Sequence, residues 1–354
     1  MTARKVLVFG ASYGSLMGMK LALAGHDATL VCRSRTADLI NREGVTVRMP
    51  VKGREGLVDV KSRELPGRVD ATTTDAARPD EYDLVVLAMQ EPQYSSPGVR
   101  ELLEEVALSR VPCLSIMNMP PPPYLERVPG IDPALCEESY TDASAWRSFD
   151  PARITLCSPD PQAFRPPESE GNVLQVRLPT NFKAARFESD EDTALLRGLA
   201  DDIERARYTC DGEALDLPVK LKVHDSVFVP LAKWAMLMAG NYRCLMEENI
   251  RPIRDAVHAD LEASQHVYDW VVRLCCKLGA AEEDMVPFDK YAAAAQSLKS
   301  PSSAARALAA GAPNIERVDR LVHAIAAQHG MRHAAVAETV ERVDDWLVRN
   351  RLKG

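Results

Sequence analysis

The 354-residue sequence has no long hydrophobic run, no block of basic residues and no paired-cysteine metal motif. Its most apolar later stretch, residues 227–240, is interrupted by Lys233 and is too short to span a bilayer. Basic residues are dispersed and the net charge is −8, which argues against an electrostatic nucleic-acid binder. No charged leader and cleavage site precede the first apolar strand, so no secretory signal is expected. The eight cysteines are scattered, and only Cys275 and Cys276 are adjacent. Adjacent cysteines do not make a metal knuckle, so these absences leave a cytoplasmic protein with reduced thiols and no metal.

What is present is the balance of a soluble globular enzyme, 46% hydrophobic and 27% charged. The length suits two domains. The first half alternates strand and helix signals: a buried run at Lys5–Phe9, a glycine turn, a helix over about 15–24 ended by Gly25-His26, and a second strand at 28–32. Further strands are expected at 83–88, 113–117, 153–157 and 172–178. Short connections between them imply a parallel sheet with right-handed crossovers. Pro120 to Pro123 is expected to be extended, as polyproline II. Beyond about residue 190 the pattern turns helical, over 195–205, 227–247, 255–278, 304–310, 315–329 and 334–349. The expected class is therefore α/β: an N-terminal doubly wound parallel sheet of Rossmann type plus a mostly helical C-terminal domain. The division is placed at 1–188 and 189–354, with a longer insertion over about 120–180 that could serve as a lid. The apolar helices over 261–278 and 334–347 form either the core of the second domain or the surface of a homodimer.

The first turn reads Gly10-Ala11-Ser12-Tyr13-Gly14-Ser15. A dinucleotide turn needs glycines so that the backbone can bend tightly and approach a pyrophosphate seated on a helix N-terminus. Here Ser12 replaces the second glycine and Gly14 comes one residue early, so the string alone is weak. A buried strand before it, a helix after it and a second strand at the expected spacing strengthen it. Gly10, Ser12, Tyr13 and Gly14 are the candidate cofactor residues of the turn, with Ser12 able to offer a hydroxyl to the pyrophosphate. After the second strand, where an NAD site carries an acid for the ribose 2′-hydroxyl, the sequence has Arg33, Ser34 and Arg35. A guanidinium there can pair with a 2′-phosphate, which favours NADP(H); the alternative is a pair of solvated loop charges.

These N-terminal features resemble the ketopantoate reductase (2-dehydropantoate 2-reductase) family. So do Lys233 with Asn241, Ser302-Ser303 followed by Gly311-Ala312-Pro313, and Asp319 with the segment through Gln328-His329-Gly330. The resemblance spans most of the chain except about 120–180. It implies reduction of a 2-keto acid by hydride from NADPH, with a small molecule as the partner. Hydride attack builds negative charge on the ketone oxygen, and a cationic acid beside that oxygen lowers the barrier. Lys233, which interrupts an apolar helix, suits that role; its other reading is a snorkelling surface lysine. Asn241 lies eight residues on, about 12 Å further along a regular helix, and is either a substrate contact or a helix-surface asparagine. Ser303 matches the family's substrate serine and could also cap the helix over 304–310. Asn118 matches the family's asparagine at the carboxyl edge of the sheet, touching cofactor or substrate, or else makes an Asx turn before the prolines.

Three departures from the family stand out. Its acid after Gly-x-Pro falls on Ile315, with Glu316 one residue later, which would rotate a helical side chain by about 100°. Its lysine after the third strand is Gln90, a residue still expected at the cofactor. Leu237 and Tyr242 stand where the family has asparagine and proline. A pocket more apolar than the family's, taking a larger or less polar keto acid or an imine, is the expectation. An opine-type imine reductase using His224 and Asp225 is a second reading, and a non-catalytic NADP(H)-binding protein a third.

Overall fold

In the computed structural model, residues 2–353 are described, and the chain divides into two compact units. The first runs to Met89 and adds Gln93–Tyr124 and Ala145–Asp225; the second takes Gln90–Pro92, Leu125–Ser144 and the chain from Ser226.

The first unit begins with β1 (Lys5–Phe9), α1 (Tyr13–Leu23), β2 (Asp27–Val31), α2 (Ser34–Glu43), β3 (Thr46–Pro50), β4 (Leu57–Lys61) and β5 (Val69–Thr72). Next come β6 (Leu84–Leu87), α3 (Val99–Ser109), β7 (Cys113–Ile116) and a short α4 (Pro122–Leu125). Its last stretch holds β8 (Ile154–Ser158), β9 (Gln162–Phe164), β10 (Val173–Leu178), β11 (Phe182–Ala185), α5 (Asp190–Arg205), β12 (Tyr208–Cys210), β13 (Glu213–Leu215) and β14 (Leu221–His224). The main sheet has the order β14-β11-β8-β7-β6-β1-β2-β5, parallel throughout except where β11 meets β8. A smaller sheet, β4-β3-β10-β9, and the β12-β13 hairpin complete the unit.

The apolar runs of β1, β6 and β7 are buried along their length because the sheet is covered on both faces. Alternation along β1 shows the two faces: Val6 and Val8 join Leu16, Met19, Leu196 and Leu199 from α1 and α5, while Leu7 and Phe9 join Leu102, Val106 and Trp146. β1 pairs with β2 on one side and β6 on the other, so the strand order reverses at the carboxyl end of β1, where ligands of open α/β sheets bind.

The second unit contains α6 (Lys233–Met236), α7 (Ile253–His258), α8 (Leu261–Leu278), α9 (Phe288–Ala295), α10 (Ser303–Ala309), α11 (Val318–Gln328) and α12 (Ala334–Arg351). The apolar stripes of α8 (Val267, Trp270, Val271, Leu274) and α12 (Val336, Val340, Val343, Leu347) are buried within this unit, which accounts for them as core.

Several expectations change. The boundary falls at 225/226 rather than 188/189, because α5 packs on the sheet core and β14 pairs with β11. The 120–180 insertion is not one body: residues 125–144 belong to the helical unit, whereas β8 to β10 belong to the sheets. The prolines do not stay extended, since Pro122 and Pro123 open α4, where the missing N–H costs nothing. The helix expected over 255–278 is two, because Asp260 caps α8 afresh by accepting from the Ala263 N–H. Among the described residues no helix is long and apolar enough to cross a membrane, and no His/Cys/Asp/Glu cluster could hold a metal.

Candidate active site

The turn after β1 is shaped by two glycines with different duties. Gly10 has φ +89°, and a Cβ there would stand 2.7 Å from Met89 Cγ and 3.2 Å from the Ala88 oxygen. Only glycine turns the chain there without strain. Gly14, the second residue of α1, would place a Cβ 2.9 Å from Val8 Cγ1, so it allows close helix–strand packing, the duty of the third glycine in a dinucleotide turn. Between them Ser12 is exposed and sits at the N-cap without a side-chain capping bond. The first N–H groups of α1 lie just beyond Ser12, where an anion is favoured, and the turn fits a dinucleotide. Tyr13 has a second employment: its hydroxyl donates to the Pro161 carbonyl at 2.7 Å.

Arg33 is the N-cap of α2 with extended backbone, φ −64° and ψ 146°. It and Arg35 are exposed, and neither has an ion-pair partner among the described residues. Asn118 lies two residues beyond the carboxyl end of β7, as expected of that edge. Gln90 is exposed and groups with the helical unit. A residue missed by sequence reasoning also reaches the turn: Arg165 Nη2 donates to the Ala11 carbonyl at 2.8 Å. Its approach depends on pairing between distant strands, for which no local signal exists.

In the second unit the continuous helix expected over 227–247 is broken. The chain passes through a 3-10 turn (Val229–Ala232), α6, a π turn (Leu237–Asn241) and another 3-10 turn (Tyr242–Cys244). Lys233 begins α6, half-buried, and Asn241 ends the π turn. A π turn is wider and rotates each residue less than the ~100° of an α-helix. It therefore brings Asn241 closer to the face of Lys233 than eight regular residues would. Gly240 was the available signal for this break. A Cβ on it would meet the Tyr291 hydroxyl at 2.0 Å, and that hydroxyl donates to the Met236 carbonyl at 3.0 Å.

The serine pair divides its work differently from the expectation. Ser302, not Ser303, caps α10, accepting from the Ala305 N–H and donating to the Asn241 carbonyl at 2.7 Å. Ser303 is left exposed at the first position of the helix. The Ser302 bond brings the end of the π turn and the start of α10 together.

Glu316 is not on a helix, since α11 starts at Val318, so the expected 100° rotation does not apply. Both Ile315 and Glu316 are buried, and the Tyr242 hydroxyl donates to the Glu316 carbonyl. Tyr242 also accepts from the Val318 N–H at 3.0 Å, which fixes the approach to α11. Asp319, fully buried, pairs with Arg317 at 2.9 Å, and Arg317 with Asp344 at 2.6 Å, so that carboxylate is structural. Another buried acid, Glu91, had no sequence signal. It accepts from the Thr141 N–H and hydroxyl, each at 2.9 Å, and burial pushes its carboxyl up to about 7, the Glu316 charge adding to the rise.

The His224–Asp225 pair does not form a helical-domain dyad. His224 ends edge strand β14 of the first unit, and Asp225 pairs with Arg197 at 2.6 Å.

Residues 6–115 match the model of the ketopantoate reductase PanE/ApbA family. The N-terminal third of the chain is thus similar to that family. The whole chain shares the family's fold with a 2-dehydropantoate 2-reductase from Methylococcus capsulatus, at 13% identity and TM-score 0.65 over 98% of this chain and 97% of that one. A PanE/ApbA family ketopantoate reductase from Ralstonia eutropha is similar at 16% identity and TM-score 0.60, covering 98% and 99%. So is D-mandelate dehydrogenase in its ternary structure with NADH and anilino(oxo)acetate, at 13% identity and TM-score 0.65 over 98% and 99%. No curated protein matches the sequence.

Proposed function

We propose that the protein is an NADPH-dependent reductase of 2-keto acids with Lys233 as general acid. The observation that carries this reading is the broken helix, which presents a half-buried lysine and, one α and one π turn later, an asparagine held by Ser302. Bound NADPH supplies the hydride. As the carbonyl oxygen gains charge, the Lys233 ammonium donates a proton to it, giving a 2-hydroxy acid, and solvent restores the ammonium. Asn241 and Ser303 orient the substrate through hydrogen bonds, Asn118 contacts cofactor or substrate from the sheet edge, and Glu316 is the carboxylate partner of the site. Leu237 in place of an asparagine makes the pocket suit a bulkier, less polar keto acid than ketopantoate.

For the cofactor, Gly10, Ser12, Tyr13 and Gly14 form the pyrophosphate turn, with Gln90 at the nicotinamide side. The 2′-phosphate is read by Arg33, whose guanidinium has no carboxylate partner among the described residues. NADH is the cofactor named with the D-mandelate dehydrogenase structure, so both nucleotides belong in the test. Oxidation of NADPH and NADH is followed across a panel of 2-keto acids, ketopantoate and aryl keto acids included. Turnover with NADPH and at least one keto acid is expected. NADPH binding with no turnover anywhere on the panel would leave a non-catalytic NADP(H)-binding protein instead.

A further inference from the structure

Arg165 lies just beyond β9, on the hairpin that β9 forms with β10. The hairpin is anchored at two points. β10 pairs in parallel with β3 through Val173–Thr46 and Leu174–Val47, and the Tyr13 hydroxyl holds the Pro161 carbonyl ahead of β9. Within it, the Arg177 guanidinium covers the Phe164 ring 5.1 Å from its centroid, which stiffens the strand leading to Arg165. From this platform Arg165 reaches back to the Ala11 carbonyl, one residue after Gly10. Its charge is also felt by the Cys32 thiol, beside Arg33 at the end of β2, opposing the effect of burial on that thiol. The guanidinium therefore stands beside the residue after the first glycine, and its charge acts across the interval to the end of the second strand. In a dinucleotide fold that interval belongs to the adenosine ribose.

An exposed arginine at this place has donors to spare. One nitrogen is committed to Ala11, and a guanidinium carries five N–H groups in a fixed fork. No carboxylate pairs with Arg165 among the described residues. We propose that Arg165 is a second reader of the cofactor's 2′-phosphate, closing on it from the hairpin while Arg33 holds it from the end of β2. This rests on the NADP(H) reading above and extends it, because specificity then depends on a residue 132 positions further along the chain than Arg33.

The test is equilibrium binding of NADPH and NADH to the full chain, with melting of the unliganded protein as a folding control. Arg165→Ala is expected to weaken NADPH about ten- to a hundredfold, the scale of one hydrogen bond to a charged group, while NADH changes less than about threefold. Arg165→Gln retains an N–H for the Ala11 carbonyl but has no charge, so it should lose NADPH as severely as alanine does. Equal losses for both nucleotides, or recovery of NADPH binding by glutamine, would overturn the proposal and make Arg165 a buttress of the turn. A wild-type protein that binds the two nucleotides equally would overturn both the NADP(H) reading and the role of Arg165. A wild-type preference for NADPH that survives in both variants overturns the role of Arg165 alone.

Discussion

The two units carry their candidate residues in opposite ways. In the first, regular strands and helices deliver a turn whose chemistry is backbone: two glycines, a helix N-terminus and a serine. In the second, the helix that carries the candidates gives up regularity, and what it offers is side chain: Lys233 and Asn241, with buried carboxylates elsewhere in the unit. The family model accordingly matches residues 6–115 of the first unit's part of the chain. A backbone site constrains local sequence tightly, whereas a side-chain site can be assembled from irregular turns that leave a fainter pattern.

The sharpest way to separate the units is at their chemistry. Lys233→Met is expected to lower kcat by about 10²- to 10⁴-fold, the contribution of a general acid, with NADPH affinity unchanged. Steady-state kinetics beside nucleotide titration checks both halves of that statement. Gly10→Ala should do the reverse, forcing a side chain into φ +89° against the Ala88 carbonyl. A loss of about 1–3 kcal/mol in denaturant unfolding, with weakened nucleotide binding, is the expected outcome.

The π turn can be broken and mended. Gly240→Ala drives a methyl onto the Tyr291 hydroxyl and should cost about 1–3 kcal/mol and most of the turnover, leaving nucleotide binding intact. Adding Tyr291→Phe removes the clashing oxygen and should recover part of the activity; a double variant no better than the single one would show that the clash is not what matters.

The smallest contrast is in pH dependence, and it has opposite signs in the two units. Glu91, in the second, is raised by burial from 4.5 to about 7. Between those values the folded protein holds a proton that the unfolded chain has released, so stability falls as pH rises, and Glu91→Gln should flatten that fall. Lys20, in the first, is lowered by burial from 10.5 to about 7, its ammonium nitrogen held by the Leu217 and Pro218 carbonyls. There the unfolded chain holds the extra proton, stability climbs from pH 7 towards 10.5, and Lys20→Met should flatten the climb. Melting temperatures across both ranges read the two slopes.

How legible each unit was follows from the same contrast. The central strands of the first unit announce themselves as buried apolar runs, and short crossovers between them imply a parallel sheet, though not its strand order. The turn was readable from Gly10 and Gly14 despite Ser12, because each glycine has a separate steric reason. The helices around α8 and α12 were readable by period, though not the fresh start at Asp260. Periodicity could not show the π turn, since apolar residues continue through it and only Gly240 marks the place. It also could not show that Ser302 rather than Ser303 is the cap, nor that Glu316 precedes its helix. Glu91 and Arg165 had no local signal at all, because each acquires its place from a partner made much later or much earlier in the chain.

That last property has a consequence for how the molecule is made. The chain passes from one unit to the other at 89/90, 92/93, 124/125, 144/145 and 225/226. At about 5–20 residues per second, Glu316 leaves the ribosome about 10–45 s after Glu91. During that interval β1, β6 and β7 can already pair, while Glu91, ionised, and Thr141 wait hydrated for the remainder of their unit. A stop after residue 225 yields the first unit whole, with residues 90–92 and 125–144 still lacking the rest of theirs. A nascent chain arrested after residue 225 should bind nucleotide before its Glu91 has anywhere to be buried.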